Sequence, residues 1–242
     1  MSTSTTPKPT IIVIPGSFSL LYAYDPIVSG LEAYGYAVHG VELETVGRRA
    51  DLPTAPGKDV VLVAHSYGGL VACEAAKGLA KSVREKEGKE GGIVRIVFVT
   101  SVVPRAGQSL SDVTGQVPVD YVGFEDGYLM ITDPAKCAPI SFSNLPPDEA
   151  LAWARGLSTH SAISFSQPLT YAAYKDIPTS YLFCEEDKLV TPEQQNKIIA
   201  GLESEMDGKS VERHSIKADH AINVSQPNAV VAVVRKALGD TT

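Results

Sequence analysis

The chain has 242 residues, 44% of them hydrophobic and 20% charged, with a net charge of −7. That is enough apolar material for one large α/β domain with an ordinary core, and it excludes wholesale disorder. The acidic balance excludes the basic face of a nucleic-acid binder and a surface tuned for anionic lipid; it suits a protein that acts on a small molecule.

The opening MSTSTTPKPT lacks a charged segment followed by a long apolar run, so no signal peptide is expected. No window approaches the roughly 18 uninterrupted apolar residues of a membrane span. Cys73, Cys137 and Cys184 are too few, and odd in number, for a disulfide scaffold. They read as reduced thiols, which predicts a cytoplasmic protein with no membrane partner.

In chain order, residues 1–9 are rich in Ser, Thr and Pro and are predicted to fray. TIIVIP at 10–15 is a short apolar, β-branched run of the kind buried in a parallel sheet. A helix is predicted over 21–34, closed by Gly35, then a strand over 36–42. DVVLVAH at 59–65 is a third strand, followed directly by a helix over 67–85. The alternating charges of 81–91 read as a solvated helix end and loop. A fourth strand is predicted over 93–103. Alternating strands and helices signal a parallel sheet covered on both faces.

Residues 105–177 break the alternation, being rich in Pro, Ser, Gly and aromatics. Their clear element is a helix from Pro146 to about Leu157, with Asp148 and Glu149 in its first turn. This stretch reads as a cap inserted into a core formed by 10–104 and 178–242. Beyond it come a strand at 179–184 and a helix opened by Thr191, Pro192 and Gln194 as a capping box. A last strand over 211–217 and a last helix, capped by Ser225 and ended by Gly239, complete the chain.

The strongest chemical signal is Ala64-His65-Ser66-Tyr67-Gly68-Gly69, set between a buried strand and a helix. A strand that turns sharply into a helix strains the turn residue and exposes its hydroxyl above the sheet. Small residues are needed two places before and after; here they are Ala64 and Gly68. Ser66 is therefore the candidate nucleophile. Of the five histidines, His220 is the candidate base, because it follows the last strand on the side where ligands gather in an open α/β sheet. His65 reads as packing or pocket lining, His39 and His214 as structural, and His160 as a packing group or pocket wall in the cap. The acid that orients the base is expected past a strand between 66 and 220. Glu185, Glu186 and Asp187 compete there, with Asp187 favoured as deepest in the loop. Asp219 reads as a turn former. The oxyanion donors are expected to be the N–H of Tyr67, at the helix start, and that of Ser17 or Phe18, where Gly16 lets the backbone approach. Phe18, Phe142, Trp153 and His160 are the expected pocket residues. No metal cluster or nucleotide loop is visible, so no cofactor or metal is implied.

The segments VIPGSFS at 13–19, LVAHSYGG at 62–69, YLFCEEDKLVTPEQQ at 181–195 and ADHAINVSQP at 218–227 resemble the small esterase and hydroxynitrile-lyase branch of the α/β-hydrolases. The likeness spans almost the whole chain. It implies an α/β-hydrolase fold, a triad of Ser66, Asp187 and His220, and oxyanion donors in the backbone of Ser17 and Tyr67. Lyases of that branch carry a lysine where this chain has Ala221 and a threonine where it has Gly16, so the resemblance implies ester hydrolysis. One departure is the short 43–58 connection, which holds Pro53 and Pro56 and has little room for a helix. It leaves a sheet flank that a second copy could cover, as in a homodimer. The expected activity is cleavage of a small ester, thioester or lactone through an acyl-enzyme. Acyl transfer to an internal nucleophile, and ligand binding without catalysis, are the alternatives.

Overall fold

All six runs read as strands enter one sheet of the computed structural model, which describes residues 7–46, 57–115 and 119–240. The first half runs β1 (Thr10–Ile14), a 3₁₀ turn (Leu21–Tyr24), α1 (Asp25–Ala33), β2 (Ala37–Gly40), β3 (Asp59–His65), α2 (Gly68–Ala75), α3 (Lys81–Lys86) and β4 (Gly92–Val99). Next come α4 (Leu110–Thr114), β5 (Val122–Glu125), β6 (Tyr128–Ile131), α5 (Pro134–Ser141), α6 (Pro147–Arg155), β7 (His160–Ser161) and α7 (Ile163–Ser166). A second 3₁₀ turn (Ala173–Lys175) leads to β8 (Thr179–Cys184), α8 (Pro192–Glu203), β9 (Glu212–Ile216), α9 (Ile222–Ser225) and α10 (Pro227–Ala237).

The large sheet has the order β2-β1-β3-β4-β8-β9, and every neighbouring pair is parallel. Successive side chains point to opposite faces. Ile11, Val13, Val61, Val63, Val97 and Val99 therefore join one core with Ile27 and Leu31 of α1 and Val230 and Val234 of α10. Ile14, Leu62, Ala64, Ile96 and Phe98 join the other, with α2, α8 and residues of 105–177. Both faces are covered, which is why these strands carry continuous apolar runs, such as IIVI in β1 and VVLVA in β3, rather than apolar residues at alternate positions. The order reverses between β1 and β3, and a crevice opens at their carboxyl ends. There Ile14 pairs with Ala64, and His65 pairs with Val99.

The structure corrects several expectations. The helix predicted over 67–85 is two pieces, α2 and α3, separated by a turn in which Gly78 has φ +74°. The strand predicted over 93–103 ends at Val99, because Thr100 turns to φ +37°. The cap is more than a helix: β5, β6 and β7 form an antiparallel sheet. Its hairpin turns at Asp126-Gly127, both at positive φ, as a two-residue turn of the primed type requires. Ser225 does not cap the last helix; it ends α9 and donates to Asp219 Oδ1 (2.7 Å), and α10 starts after Gln226. The Thr191 capping box forms as predicted. Residues 1–6 of the predicted frayed segment, and most of the 43–58 connection, lie outside the described residues. Among the described residues no helix is long and apolar enough to cross a membrane.

Candidate active site

The elbow forms where β3 meets α2. Ser66 has φ +52°, a left-handed conformation that costs a non-glycine residue on the order of 1–3 kcal/mol. Three hydrogen bonds hold it there. Its N–H donates to Val99 O (3.1 Å), and its carbonyl accepts from Gly69 N (3.1 Å) and Val102 N (3.0 Å). Gly68 has no alternative, since a Cβ would lie 2.6 Å from Pro15 O and 2.7 Å from Ile14 O. Gly16 is equally confined, its virtual Cβ falling 2.9 Å from both His65 Nδ1 and Ser66 Cβ. Ala64 is fully buried, and its carbonyl accepts from Ser101 Oγ at 2.6 Å.

Ser66, His220 and Asp187 come together although they are far apart in sequence. His220 Nε2 lies 3.0 Å from Ser66 Oγ, and His220 Nδ1 lies 2.7 Å from Asp187 Oδ2. Asp187 is buried, whereas Glu185 and Glu186 are exposed. Its carboxylate accepts four hydrogen bonds: His220 and Thr100 Oγ1 (2.5 Å) at Oδ2, and the N–H groups of Leu189 and Val190 (2.8 Å each) at Oδ1. Burial works against the charge on Asp187. The field of His220 and the bonds from His220, Thr100 and Val190 outweigh it and hold the carboxyl below its usual range. An ionised Asp187 only accepts, so His220 Nδ1 donates to it, leaving Nε2 free to accept the Ser66 proton.

The loop after β1 supplies the facing backbone. Phe18 sits at φ +61° and is clasped by residues past α6: its N–H donates to His160 Nδ1 (3.3 Å), and its carbonyl accepts from Ser158 N (2.8 Å). That bond removes Phe18 N–H as an oxyanion donor. Among the described residues, the N–H groups of Ser17 and Tyr67 have no acceptor. Both are adjacent in sequence to groups already fixed around Ser66.

A cavity of about 230 Å³ opens over Ser66 and His220, with Phe18, Phe142, Trp153, Phe165 and Val102 in its walls. Among the described residues no Lys, Arg, Asp or Glu lines it. Trp153 stacks on Tyr22 with ring centroids 5.7 Å apart. His160 does not line the cavity as expected. It is fully buried behind the wall, packed edge-on against Tyr67 (4.6 Å) and Phe165 (4.8 Å), and burial lowers its pKa to about 3. His65, by contrast, does reach the cavity. His39 is exposed on edge strand β2, and His214 lies on the opposite edge strand β9, 3.3 Å from Glu212. Asp219 shapes the base's loop, accepting from Asn144 N (2.8 Å) and Ser225 Oγ (2.7 Å). Among the described residues, no group of three or more His, Cys, Asp and Glu is placed to hold a metal.

Thr100 escaped the sequence reading. It is fully buried, strained, and bonded to the same carboxylate oxygen as His220. The one available signal was its place directly after β4, in register beside the elbow.

A parallel sheet with a serine elbow at its switch point is the architecture of an α/β-hydrolase enzyme. The family comparison agrees. A model described as "Alpha/beta hydrolase family" matches residues 11–233, and the chain belongs to that family. It is 33% identical to "Probable hydrolase R7" of a Phoma species, covering 96% of this chain and 99% of that protein. It is 30% identical to "Alpha/beta hydrolase nvfD" of Aspergillus novofumigatus, covering 96% and 98%. Among solved structures, a pyrethroid hydrolase from Sphingobium faniae JZ-2 shares the fold with a TM-score of 0.72 at 19% identity, over 96% of this chain and 98% of that one.

Proposed function

We propose that the protein is a serine esterase acting on a small, uncharged, largely apolar ester through a triad of Ser66, His220 and Asp187. The observation that carries the reading is the continuous geometry from Ser66 Oγ to His220 Nε2 (3.0 Å) and from His220 Nδ1 to Asp187 Oδ2 (2.7 Å). His220 takes the Ser66 proton as Oγ attacks the carbonyl carbon, and Asp187 stabilises the imidazolium. The unpaired N–H groups of Ser17 and Tyr67 receive the oxyanion. The alcohol leaves with the proton from His220, and water activated by the same imidazole releases the acid.

The substrate class follows from the walls. A charged substrate would leave its ion unpaired in a cavity that no Lys, Arg, Asp or Glu lines among the described residues, a penalty of several kcal/mol for a desolvated ion. An ester function with aromatic or aliphatic substituents fits the surfaces of Phe142, Trp153 and Phe165. Two positions favour hydrolysis over lyase chemistry. Ala221, beside the base, brings no cation to the cavity, and Gly16 has no room for a side chain.

The test is turnover of p-nitrophenyl acetate and butyrate by wild type and Ser66→Ala. The reading predicts Ser66-dependent hydrolysis, reduced on the order of 10⁴-fold or more in the variant. Turnover unchanged by Ser66→Ala, or absent from wild type across neutral esters, contradicts it.

A further inference from the structure

His65 is a buried imidazole beside the candidate nucleophile to which the triad chemistry gives no task. It is bonded at both ring nitrogens. Nε2 lies 2.9 Å from His220 O, and Nδ1 lies 2.7 Å from Tyr24 Oη. Tyr24 Oη in turn accepts from Gly16 N at 2.9 Å. We infer that Tyr24 and His65 are positioning residues, forming one directed hydrogen-bond bridge that fixes the oxyanion loop and the base's loop relative to Ser66.

The direction of every bond is determined. A carbonyl only accepts, so His65 Nε2 must carry the proton given to His220 O. His65 is neutral: burial first, and then the nearby His220 charge, lower its pKa to about 3. Its Nδ1 is therefore bare and accepts from the Tyr24 hydroxyl. Burial pushes the Tyr24 pKa well up, so the hydroxyl keeps its proton. Its oxygen retains a lone pair for Gly16 N–H. Donation runs from Gly16 N–H to Tyr24, from Tyr24 to His65 and from His65 to the His220 carbonyl, and neighbouring bonds in such a chain polarise one another.

The fold explains why such a bridge is needed. β1 and β3 are neighbours, so their ladder already sets Gly16 against Ser66. His220 follows β9, and β4 and β8 stand between β9 and β3. Among the described residues no strand pairing joins the base's loop to the elbow. Besides the triad contact itself, the loop is held by Asp219, which bonds Asn144 and Ser225, by Ala221 N, which donates to Ser141 O in α5 (3.0 Å), by Ala218 O, which accepts from Glu186 N (3.1 Å), and by the His65 bond. Among these bonds of the described residues, the His65 bond is the one that refers the base back to β3, the strand that leads into the nucleophile. The bridge also starts at the residue before Ser17, the proposed oxyanion donor. A neutral His65 suits this place, since its ring centroid is 5.1 Å from that of His220, where a second cation would oppose imidazolium formation.

The bridge rests on the triad reading, and the experiment separates the two. Full-length wild type, Tyr24→Phe, His65→Phe, His65→Gln and the Tyr24→Phe/His65→Phe double variant are compared. Each is measured for kcat and KM with p-nitrophenyl butyrate and for the rate of fluorophosphonate labelling, with circular dichroism to confirm folding. Tyr24→Phe and His65→Phe are expected to lower kcat and labelling rate together, on the order of 10- to 100-fold, because small misplacements of reacting groups act on the chemical step. KM should stay within about twofold in Tyr24→Phe, because Tyr24 does not line the cavity; His65 does line it, so its variants are judged on kcat and labelling rate. His65→Gln, whose amide can still donate toward His220 O, should regain part of the loss. The double variant should be no worse than His65→Phe alone, as members of one chain are not additive. If His65→Phe does not fold, Tyr24→Phe and His65→Gln decide the matter. Wild-type kcat and labelling in folded Tyr24→Phe overturns the bridge, as does an effect confined to KM, or a His65→Gln no better than His65→Phe. Wild type that fluorophosphonate does not label at Ser66 removes the triad reading itself, and the bridge with it.

Discussion

Around Asp187 both carboxylate oxygens have two donors each, and each ring nitrogen of His220 and His65 has a partner. Across the cavity, the wall from 105–177 is mainly apolar, with Tyr121, Val122, Phe142, Trp153 and Phe165, and among its polar members Cys137 Sγ and Ser141 Oγ lie 3.6 Å apart. Asn144 reaches Asp219 and Glu186, and His160 reaches Phe18, but neither lines the cavity. The two regions divide the work. On the proposed reading, the carboxyl end of the sheet sets which bond is broken, and the cap sets what fits above it. Polar saturation makes the first region intolerant of change, whereas apolar surface can be trimmed with graded effects.

Breaking the saturated side should have the largest effect. Asp187→Asn keeps the shape but favours the wrong tautomer of His220, and kcat is expected to fall on the order of 10⁴-fold. Steady-state assays at neutral pH read this directly, and a loss under tenfold would contradict the assigned role. Thr100→Val is nearly isosteric and deletes one bond to the carboxylate. A hydrogen bond to a charged group contributes about 1.5–3 kcal/mol, so kcat should drop on the order of 10-fold with KM unchanged.

The next prediction concerns the join between the two regions. His160 and His65 are each held near a pKa of about 3, against 6.5 for a free side chain. The unfolded chain therefore binds more protons than the native one between those values. Stability rises with pH across that window and is lost as pH falls from about 6.5 toward 3. The slope is about 1.4 kcal/mol per pH unit for each histidine, or about 2 kcal/mol each between pH 6.5 and 5. Urea unfolding at pH 7 and pH 5 should show this drop. His160→Phe should lose stability at both values yet show a shallower fall between them; a fall as steep as wild type would mean that His160 titrates normally.

Trimming the cap is expected to do least. Trp153→Ala removes a wall and its stacking on Tyr22 but touches none of the triad. KM for bulky esters should rise a few-fold with kcat nearly constant, which is the signature of lost uniform binding. A fall in kcat larger than the rise in KM would show that the cap takes part in the chemistry.

The sheet was legible because burial on both faces leaves continuous apolar runs, IIVI, VVLVA and YLFC, inside TIIVI, DVVLVAH and TSYLFC. Ser66 and His220 were legible because chain order and turn position suffice to nominate them. Asp187 needed only a preference for depth among three neighbouring acids, and the structure buries that one alone. Thr100 was invisible for a physical reason. Its contact with Asp187 depends on the β3–β4–β8 register and on a left-handed turn that a β-branched residue rarely adopts. The hairpin β5–β6 did carry a signal, Asp126-Gly127, that strand length alone concealed. His160 stayed open between two readings because a histidine among aromatics suits a pocket wall as well as the layer behind it, and the structure bears out the packing one. Its full burial, its packing on Tyr67 and Phe165 and its bond from Phe18 N–H together distinguish the two.

Covalent labelling tests the central claim most directly. Purified protein is treated with a fluorophosphonate and digested, and the adduct is located by mass spectrometry. The account predicts one adduct, on Ser66, lost in Ser66→Ala and formed far more slowly in Asp187→Asn. An unlabelled Ser66 in active protein, or ester turnover that persists after Ser66→Ala, would contradict it.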